Sequence, residues 1–159
     1  RASTTTGRAV CAGSVTRHPA TADRVRAAIE RLGLEERVTL AGELDATRLD
    51  ECYDRADLFV LATLRETYGM AVAEALAHGL PVVSTTTGAI PDLIGADAGL
   101  LTPPGNTGAL AGALTRAIGD AGLRARLTEG ARRVRVGLPC WEQAFGKMAA
   151  ALEHLDTDG

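Results

Sequence analysis

The chain has 159 residues, of which 46% are apolar and 23% are charged, and its formal net charge is −3. This length suits a single domain that folds without disulfides or metal, and the composition excludes a disordered chain. The negative net charge argues against nucleic acid as a partner, because proteins that bind nucleic acid usually carry a basic excess.

Compartment and membrane topology follow from the apolar runs and the cysteines. No apolar run approaches the roughly 20 residues of a membrane-spanning helix, and the polar start at residues 1–8 is not typical of a signal peptide. Cys11, Cys52 and Cys140 are odd in number, widely separated and without metal-ligand spacing. We therefore expect buried thiols in a reducing compartment, and a cytoplasmic location.

Strand-like and helix-like segments alternate over the first two thirds of the chain. Short apolar runs predict strands at residues 9–13, 37–42, 57–62, 80–85 and 98–101. Helical spacing of apolar residues predicts helices at residues 19–32, 44–55, 69–78 and 90–94. The strand at 57–62 is apolar throughout, so we expect burial on both faces, whereas 98–101 is expected at a sheet edge.

The last third of the sequence predicts only helices. Asn106 is expected to cap the first of them, a second carries Leu123 and Leu127, and a last one aligns Trp141 with Phe145. Alternating strands and helices with short connections indicate an α/β fold, a Rossmann-like parallel sheet with helices on both faces. We expect one domain over residues 1–159, with a frayed tail at 156–159.

The most promising site lies at residues 64–76, directly after the most apolar strand. In open parallel sheets, ligands bind at the carboxyl ends of strands, where helix N-termini offer unpaired amides to phosphate. Amides near Gly69, Met70 and Ala71 would be such donors, and Glu66 and Glu74 could accept hydrogen bonds from sugar hydroxyls. A glutamate near a helix start is commonly just a partner of the helix dipole, so the residues by themselves leave both interpretations open.

Residues 66–83, ETYGMAVAEALAHGLPVV, resemble the E-x7-E signature of retaining glycosyltransferases of family 4. Further similar segments follow in the family's order: LGLEERVTLAG at 32–42, YDRAD at 53–57, TGAIPD at 87–92, GLLTPPGN at 99–106 and Trp141-Glu142. The resemblance runs from about residue 10 to residue 155. It implies the C-terminal, donor-binding domain of a two-domain enzyme with the GT-B fold.

The resemblance also implies roles in holding a nucleotide-diphosphate sugar. Glu74 would accept hydrogen bonds from the ribose hydroxyls, and Glu66, the candidate catalytic residue, would lie beside the transferred sugar. The other donor-binding positions would be Thr67, Tyr68, Gly69, Met70 and Gly88. The resemblance implies no metal and no cofactor beyond the nucleotide sugar itself.

Two parts of the family pattern have no counterpart in this sequence. The family's donor domain begins with an earlier strand and a loop whose Arg and Lys neutralise the pyrophosphate, and residues 9–13 correspond to the strand after it. The N-terminal, acceptor-binding domain is also without a counterpart. We therefore expect a fragment that is inactive by itself, with a gap in its sheet through which copies could associate.

The histidines, a D-x-D motif and two arginines are further candidates for ligands or bases. His18, His78 and His154 have no partner at useful spacing, and the D-x-D at 156–158 lies in a polar tail, so no function is expected of them. Arg17 and Arg65 follow predicted strands and could help to hold the donor. Two alternatives stay open: a non-catalytic nucleotide-binding module, and another GT-B enzyme such as a nucleotide-sugar epimerase.

Overall fold

The computed structural model describes residues 7–138, in which strands and helices alternate as predicted. The elements are β1 (Ala9–Ala12), α1 (Pro19–Arg31), β2 (Val38–Gly42), α2 (Ala46–Arg55), β3 (Phe59–Leu61), α3 (Met70–Ala77), β4 (Val82–Thr85), α4 (Ile90–Ile94), β5 (Gly99–Thr102), α5 (Thr107–Gly119) and α6 (Ala121–Gly137). The helix predicted around Trp141, the tail at 156–159, Cys140 and His154 lie outside the described residues.

All strand pairs within residues 7–138 are parallel, and they form two sheets. β1 pairs with β2, and β4 lies between β3 and β5, so β5 occupies the predicted edge position. The predicted α/β, Rossmann-like fold is confirmed. No hydrogen bond joins β1 to β3 in the described residues, and both strands have an unpaired edge.

The core lies around β4, because helices cover both faces of that strand. Neighbouring residues of a strand point to opposite faces. Val82 accordingly packs with Leu76 and Ile94, from α3 and α4, while Val83 packs with Ala113 and other residues of α5. A strand covered on both sides reads as a continuous apolar run, which is why residues 80–85 were identifiable in the sequence.

The N-terminal part of the described chain is far less covered. No residue from 7 to 52 is buried, all four residues of β1 are exposed, and α1 buries none of its side chains. Tyr53 is the first buried residue along the described chain. The stability of the molecule therefore depends mainly on residues after α1 and β2, because burial of apolar surface is the dominant favourable contribution to folding.

Two expectations about burial are wrong. β3 is not buried on both faces: Val60 is 42% exposed, although its partner in register, Val83, is fully buried beneath α5. Val60 lies one strand nearer the open edge, beyond the part of the sheet that α5 covers. Cys11 is an exposed thiol on β1 and Cys52 is partly exposed, because this part of the chain has no covering layer.

The helix starts follow side-chain capping rules. Asn106 caps α5 as predicted, since its side chain accepts a hydrogen bond of 2.9 Å from the amide of Ala109. Asp120 ends α5 and also caps α6, accepting from the amide of Leu123 at 2.8 Å. Such caps satisfy amides that the first turn of a helix leaves unpaired.

Candidate functional site

A sharp turn at Gly69 connects the loop after β3 to the start of α3. Gly69 has φ 69° and ψ 34°, a left-handed conformation that favours glycine, and its carbonyl accepts from the amide of Ala73 at 2.9 Å. A Cβ on Gly69 would lie 2.8 Å from Cδ1 of Leu93 on α4. The turn therefore requires glycine for two reasons, conformation and space.

The carboxylate of Glu66 folds back over this turn. Its Oε1 accepts hydrogen bonds from the amides of Thr67 at 3.0 Å and Gly69 at 3.1 Å. The expectation of a free amide at Gly69 is thus wrong, because Glu66 itself supplies the negative charge that favours a helix N-terminus. The amides of Met70 and Ala71 have no hydrogen-bond partner among residues 7–138.

Gly88 supports the same loop from the segment after β4. It has φ +53°, and a Cβ built on it would overlap the carbonyl oxygen of Glu66. The next amide, that of Ala89, donates to the carbonyl of Thr67 at 3.3 Å. Gly88 was predicted as a donor-binding residue; the structure places its backbone directly against that of Glu66.

Two hydroxyl groups at the carboxyl end of β4 bind the backbone at the end of β3, where the loop begins. Ser84 donates to the carbonyl of Leu61 at 2.8 Å, and Thr85 donates to the carbonyl of Thr63 at 2.7 Å. Both residues are buried. Sequence reasoning missed this role, although two hydroxyl residues ending an otherwise apolar strand are a visible signal of it.

Glu74 lies in the second turn of α3, as predicted, and is exposed. Its Oε2 accepts a hydrogen bond of 3.1 Å from the hydroxyl of Tyr53 at the end of α2. Burial, then the negative charge and hydrogen bond of Glu74, and last the charge of Asp50, raise the pKa of Tyr53 to about 12. In the sequence, Tyr53 stands out only as part of the YDRAD segment, which gives no sign of its contact with Glu74.

His78 has partners that the sequence did not reveal. Its Nδ1 lies 2.9 Å from Oδ1 of Asp54, and its Nε2 lies 3.6 Å from Oδ1 of Asp50. Its ring stacks on that of Tyr53 with 4.9 Å between centroids and 24° between planes. The expectation that no histidine has a partner is therefore wrong for His78, because the partners lie on another helix, more than twenty residues earlier.

The remaining candidates are on the surface. Thr67 is exposed, and the side chains of Tyr68 and Met70 are 74% and 45% exposed. Arg17 and Arg65 are exposed as well, and their side chains have no partner among residues 7–138. The structure therefore gathers Glu66, Gly69 and Gly88 into one loop cluster at the start of α3, and leaves the two arginines outside its contacts.

The described part of the chain, residues 7–138, contains no group of three or more His, Cys, Asp or Glu side chains arranged to hold a metal ion. None of its helices combines the length and apolar character needed to cross a membrane.

The sequence matches one described protein family over nearly all of the described range. Residues 8–134 match the family "Glycosyl transferases group 1". The chain belongs to this family. The fold predicted from the sequence, a Rossmann-like α/β domain of the GT-B type, agrees with the solved structures named below.

Individual relatives are similar across most of this chain. A D-inositol 3-phosphate glycosyltransferase of Xylanimonas cellulosilytica is 31% identical over 144 residues, which is 89% of this chain and 34% of the relative. Sucrose-phosphate synthase from Thermosynechococcus elongatus superposes with a TM-score of 0.82 at 27% identity, over 95% of this chain and 39% of that one. HepE of Anabaena, solved in complex with UDP, superposes with a TM-score of 0.82 at 24% identity, over 93% of this chain and 41% of that one. This chain spans about a third of the first relative's length.

Proposed function

We propose that this chain is the C-terminal, donor-nucleotide-binding domain of a retaining glycosyltransferase of family 4, which moves a sugar from a nucleotide diphosphate to an acceptor. The observation that carries the proposal is the start of α3. There, free amides at Met70 and Ala71 lie between two carboxylates, Glu66 in the loop and Glu74 in the second turn. Amides at a helix start suit phosphate, and the carboxylates suit sugar hydroxyls.

In this proposal each group contributes positioning or charge stabilisation. The amides of Met70 and Ala71 hold the phosphate of the donor, where negative charge increases as the sugar leaves. Glu74 accepts from the ribose hydroxyls, and Glu66 lies beside the transferred sugar. Thr67, Tyr68 and Gly69 line the loop, and Gly88 supports it from behind.

Supporting structures suggest which nucleotide to test first. HepE, whose fold matches this chain, was solved with UDP. We therefore propose a nucleoside diphosphate sugar as the donor and UDP as the first probe. The free, exposed thiol of Cys11 fits a reducing compartment, so the proposal includes a cytoplasmic location.

The proposal also includes structural partners. The whole enzyme would contain an acceptor-binding domain and a basic pair that neutralises the pyrophosphate, as in the family that the sequence resembles. A strand from outside residues 7–138, or a second copy of the chain, would pair with the open edges of β1 and β3. Without these partners the chain is expected to bind its donor weakly and to be inactive.

The test is a thermal-shift panel with UDP, GDP and ADP and with their glucose and mannose derivatives. Ligand at about 100 times its dissociation constant should stabilise the fold by roughly 2.7 kcal/mol. We expect one base to shift the melting temperature of the chain and of a Glu51→Ala control, which removes an exposed glutamate from α2. Glu74→Ala should strongly reduce that shift, while the amides of Met70 and Ala71 still bind the phosphate weakly. A shift of full size in Glu74→Ala would contradict the proposed site.

The alternative functions give different results in the whole enzyme. A glycosyltransferase releases nucleoside diphosphate when an acceptor is supplied, and an epimerase converts the donor sugar without any acceptor. A non-catalytic module binds nucleotide and does neither. Chromatography of the donor and its products, with and without acceptor, separates the three.

A further inference from the structure

We propose that Tyr53 is a positioning residue: it fixes one oxygen of Glu74 and leaves the other free for a ligand, while His78, held by Asp50 and Asp54, keeps the Tyr53 ring in place. This inference rests on the proposed function of Glu74 as a ligand for sugar hydroxyls. It assigns a role to the contact between two helices, because Tyr53 and the two aspartates belong to α2 and Glu74 belongs to α3.

The ring of Tyr53 has little freedom to move. It is 7% exposed, its centroid lies 5.9 Å from that of Phe59 on β3, and His78 stacks on it at 4.9 Å. A ring held between two others places its hydroxyl at a defined point in space. That point is 3.1 Å from Oε2 of Glu74.

The chemistry of the contact suits a positioning role. A phenol hydroxyl has one hydrogen to donate, and an ionised carboxylate accepts at both oxygens. Tyr53 therefore holds Oε2 alone, and Oε1 has no partner among residues 7–138. With its pKa raised to about 12, the Tyr53 hydroxyl stays protonated, and able to donate, throughout the neutral range.

Orientation matters here because Glu74 is otherwise exposed. A free glutamate side chain samples many rotamers, and a ligand that needs one of them must bear the cost of ordering it. A hydrogen bond from a fixed donor orders the side chain before the ligand arrives. Removal of the Tyr53 hydroxyl should therefore weaken ligand binding only when Glu74 is present.

His78 secures the arrangement by tying the two helices together. It closes α3, and its ring nitrogens face Asp54 and Asp50, which lie on α2 one residue after and three residues before Tyr53. The 2.9 Å hydrogen bond between Nδ1 of His78 and Asp54 restricts rotation of the ring and favours the orientation in which its face lies against Tyr53. The sequence places these side chains more than twenty residues from His78.

The first test is a double-mutant cycle read by the dissociation constant of UDP, measured by calorimetry on the whole chain. Tyr53→Phe should weaken binding by about three- to tenfold when Glu74 is present, and by nothing further in the Glu74→Ala background. Equal weakening in both backgrounds would mean that Tyr53 acts through the fold alone and would overturn the proposal.

The second test needs no ligand and so separates this inference from the proposed function. Three-bond couplings of the Glu74 side chain, measured by NMR, should indicate one rotamer in the wild type and averaging in Tyr53→Phe. Glu51→Ala, which removes an exposed glutamate from the helix that carries Tyr53, should leave the couplings of Glu74 unchanged. Averaged couplings in the wild type would overturn the positioning role, whereas absence of UDP binding with ordered couplings would count against the proposed function.

Discussion

The most informative single residue for a physical test is Tyr53. The chain has two tyrosines, so Tyr68→Phe leaves Tyr53 as the one phenol whose ionisation changes the absorbance near 295 nm. In this variant we expect an ionisation midpoint near 12, since burial and the charge of Glu74 disfavour the phenolate. A midpoint at the ordinary value of about 10 would contradict the burial of Tyr53 and its contact with Glu74.

The same shift makes stability depend on pH. The native state keeps the Tyr53 proton up to about pH 12, whereas the unfolded chain releases it near pH 10, so the native state binds more protons between these values. Tyr53 therefore contributes stability that is complete below about pH 10 and is lost as the pH rises toward 12, on the order of 2 kcal/mol in all. Urea unfolding at pH 9 and pH 11.5 should show this loss in the wild type and not in Tyr53→Phe.

Gly88 offers a second test at the scale of one residue. Gly88→Ala introduces a Cβ at φ +53° that overlaps the Glu66 carbonyl, so we expect a loss of more than about 2 kcal/mol in the free energy of unfolding. Gly33→Ala is the matched control, because Gly33 has φ +61° and no atom within 4 Å of the added Cβ. It should cost about 1 kcal/mol. Equal losses, measured by urea unfolding, would mean that Gly88 does not press against the loop.

At the scale of elements, alanine substitutions at two helical glycines test the packing of α6 against the segment before β5. A Cβ on Gly130 of α6 would overlap the carbonyl of Asp97, just before β5, whereas a Cβ on Gly112 of α5 would point into open space. Gly130→Ala should therefore destabilise the fold by about 2 kcal/mol or more. Gly112→Ala should stabilise it by up to about 1 kcal/mol, since alanine favours helix over glycine. Thermal melts of both variants measure these changes. If both substitutions destabilise the fold, the predicted difference in packing between Gly130 and Gly112 is wrong.

At the scale of the whole molecule, the uneven burial predicts uneven protection. No residue between 7 and 52 is buried, while every residue of β4 is. We expect the amides of β1 and β2 to exchange hydrogen for deuterium much faster than those of β4, because local opening exposes little additional apolar surface there. Exchange measured by mass spectrometry or NMR checks this. Uniform protection across β1 and β4 would indicate that the N-terminal part is covered in solution.

The unpaired edges of β1 and β3 predict association between copies. A charged residue on an open edge discourages pairing with another strand. Val10, on β1, is 56% exposed, and Val136, at the end of α6, is 89% exposed. Sedimentation velocity should show concentration-dependent association that Val10→Lys removes and the control Val136→Lys retains. Loss of association in both variants would mean that exposed apolar side chains in general, and not the edge of β1, cause the association.

The sequence was sufficient for the order of the elements, and it predicted that Glu66 lies between a strand and a helix, which are β3 and α3. Residues 80–83 show why, because the buried strand β4 begins in a continuous apolar run, and such a run is visible without a structure. The role of the site residues stays a prediction, although the structure places Glu66, Gly69 and Gly88 in contact. Tyr53 and His78 could not be predicted, because their contacts join helices that are far apart in the chain and no local pattern encodes that distance.

Under the proposed function, Glu66 would make anion recognition at this loop an exchange. Its carboxylate already occupies the amides of Thr67 and Gly69, one and three residues along the chain, so an arriving anion competes with a tethered one. The affinity of the arriving anion for those amides is then set by the difference between the binding free energies of the two anions, rather than by its own binding free energy alone. Small singly charged ions such as acetate gain little by the replacement, whereas a group with several charges can displace the carboxylate or bind beside it at the free amides of Met70 and Ala71. Under the proposed function, the loop would thereby disfavour weak anions by internal competition, without any steric barrier.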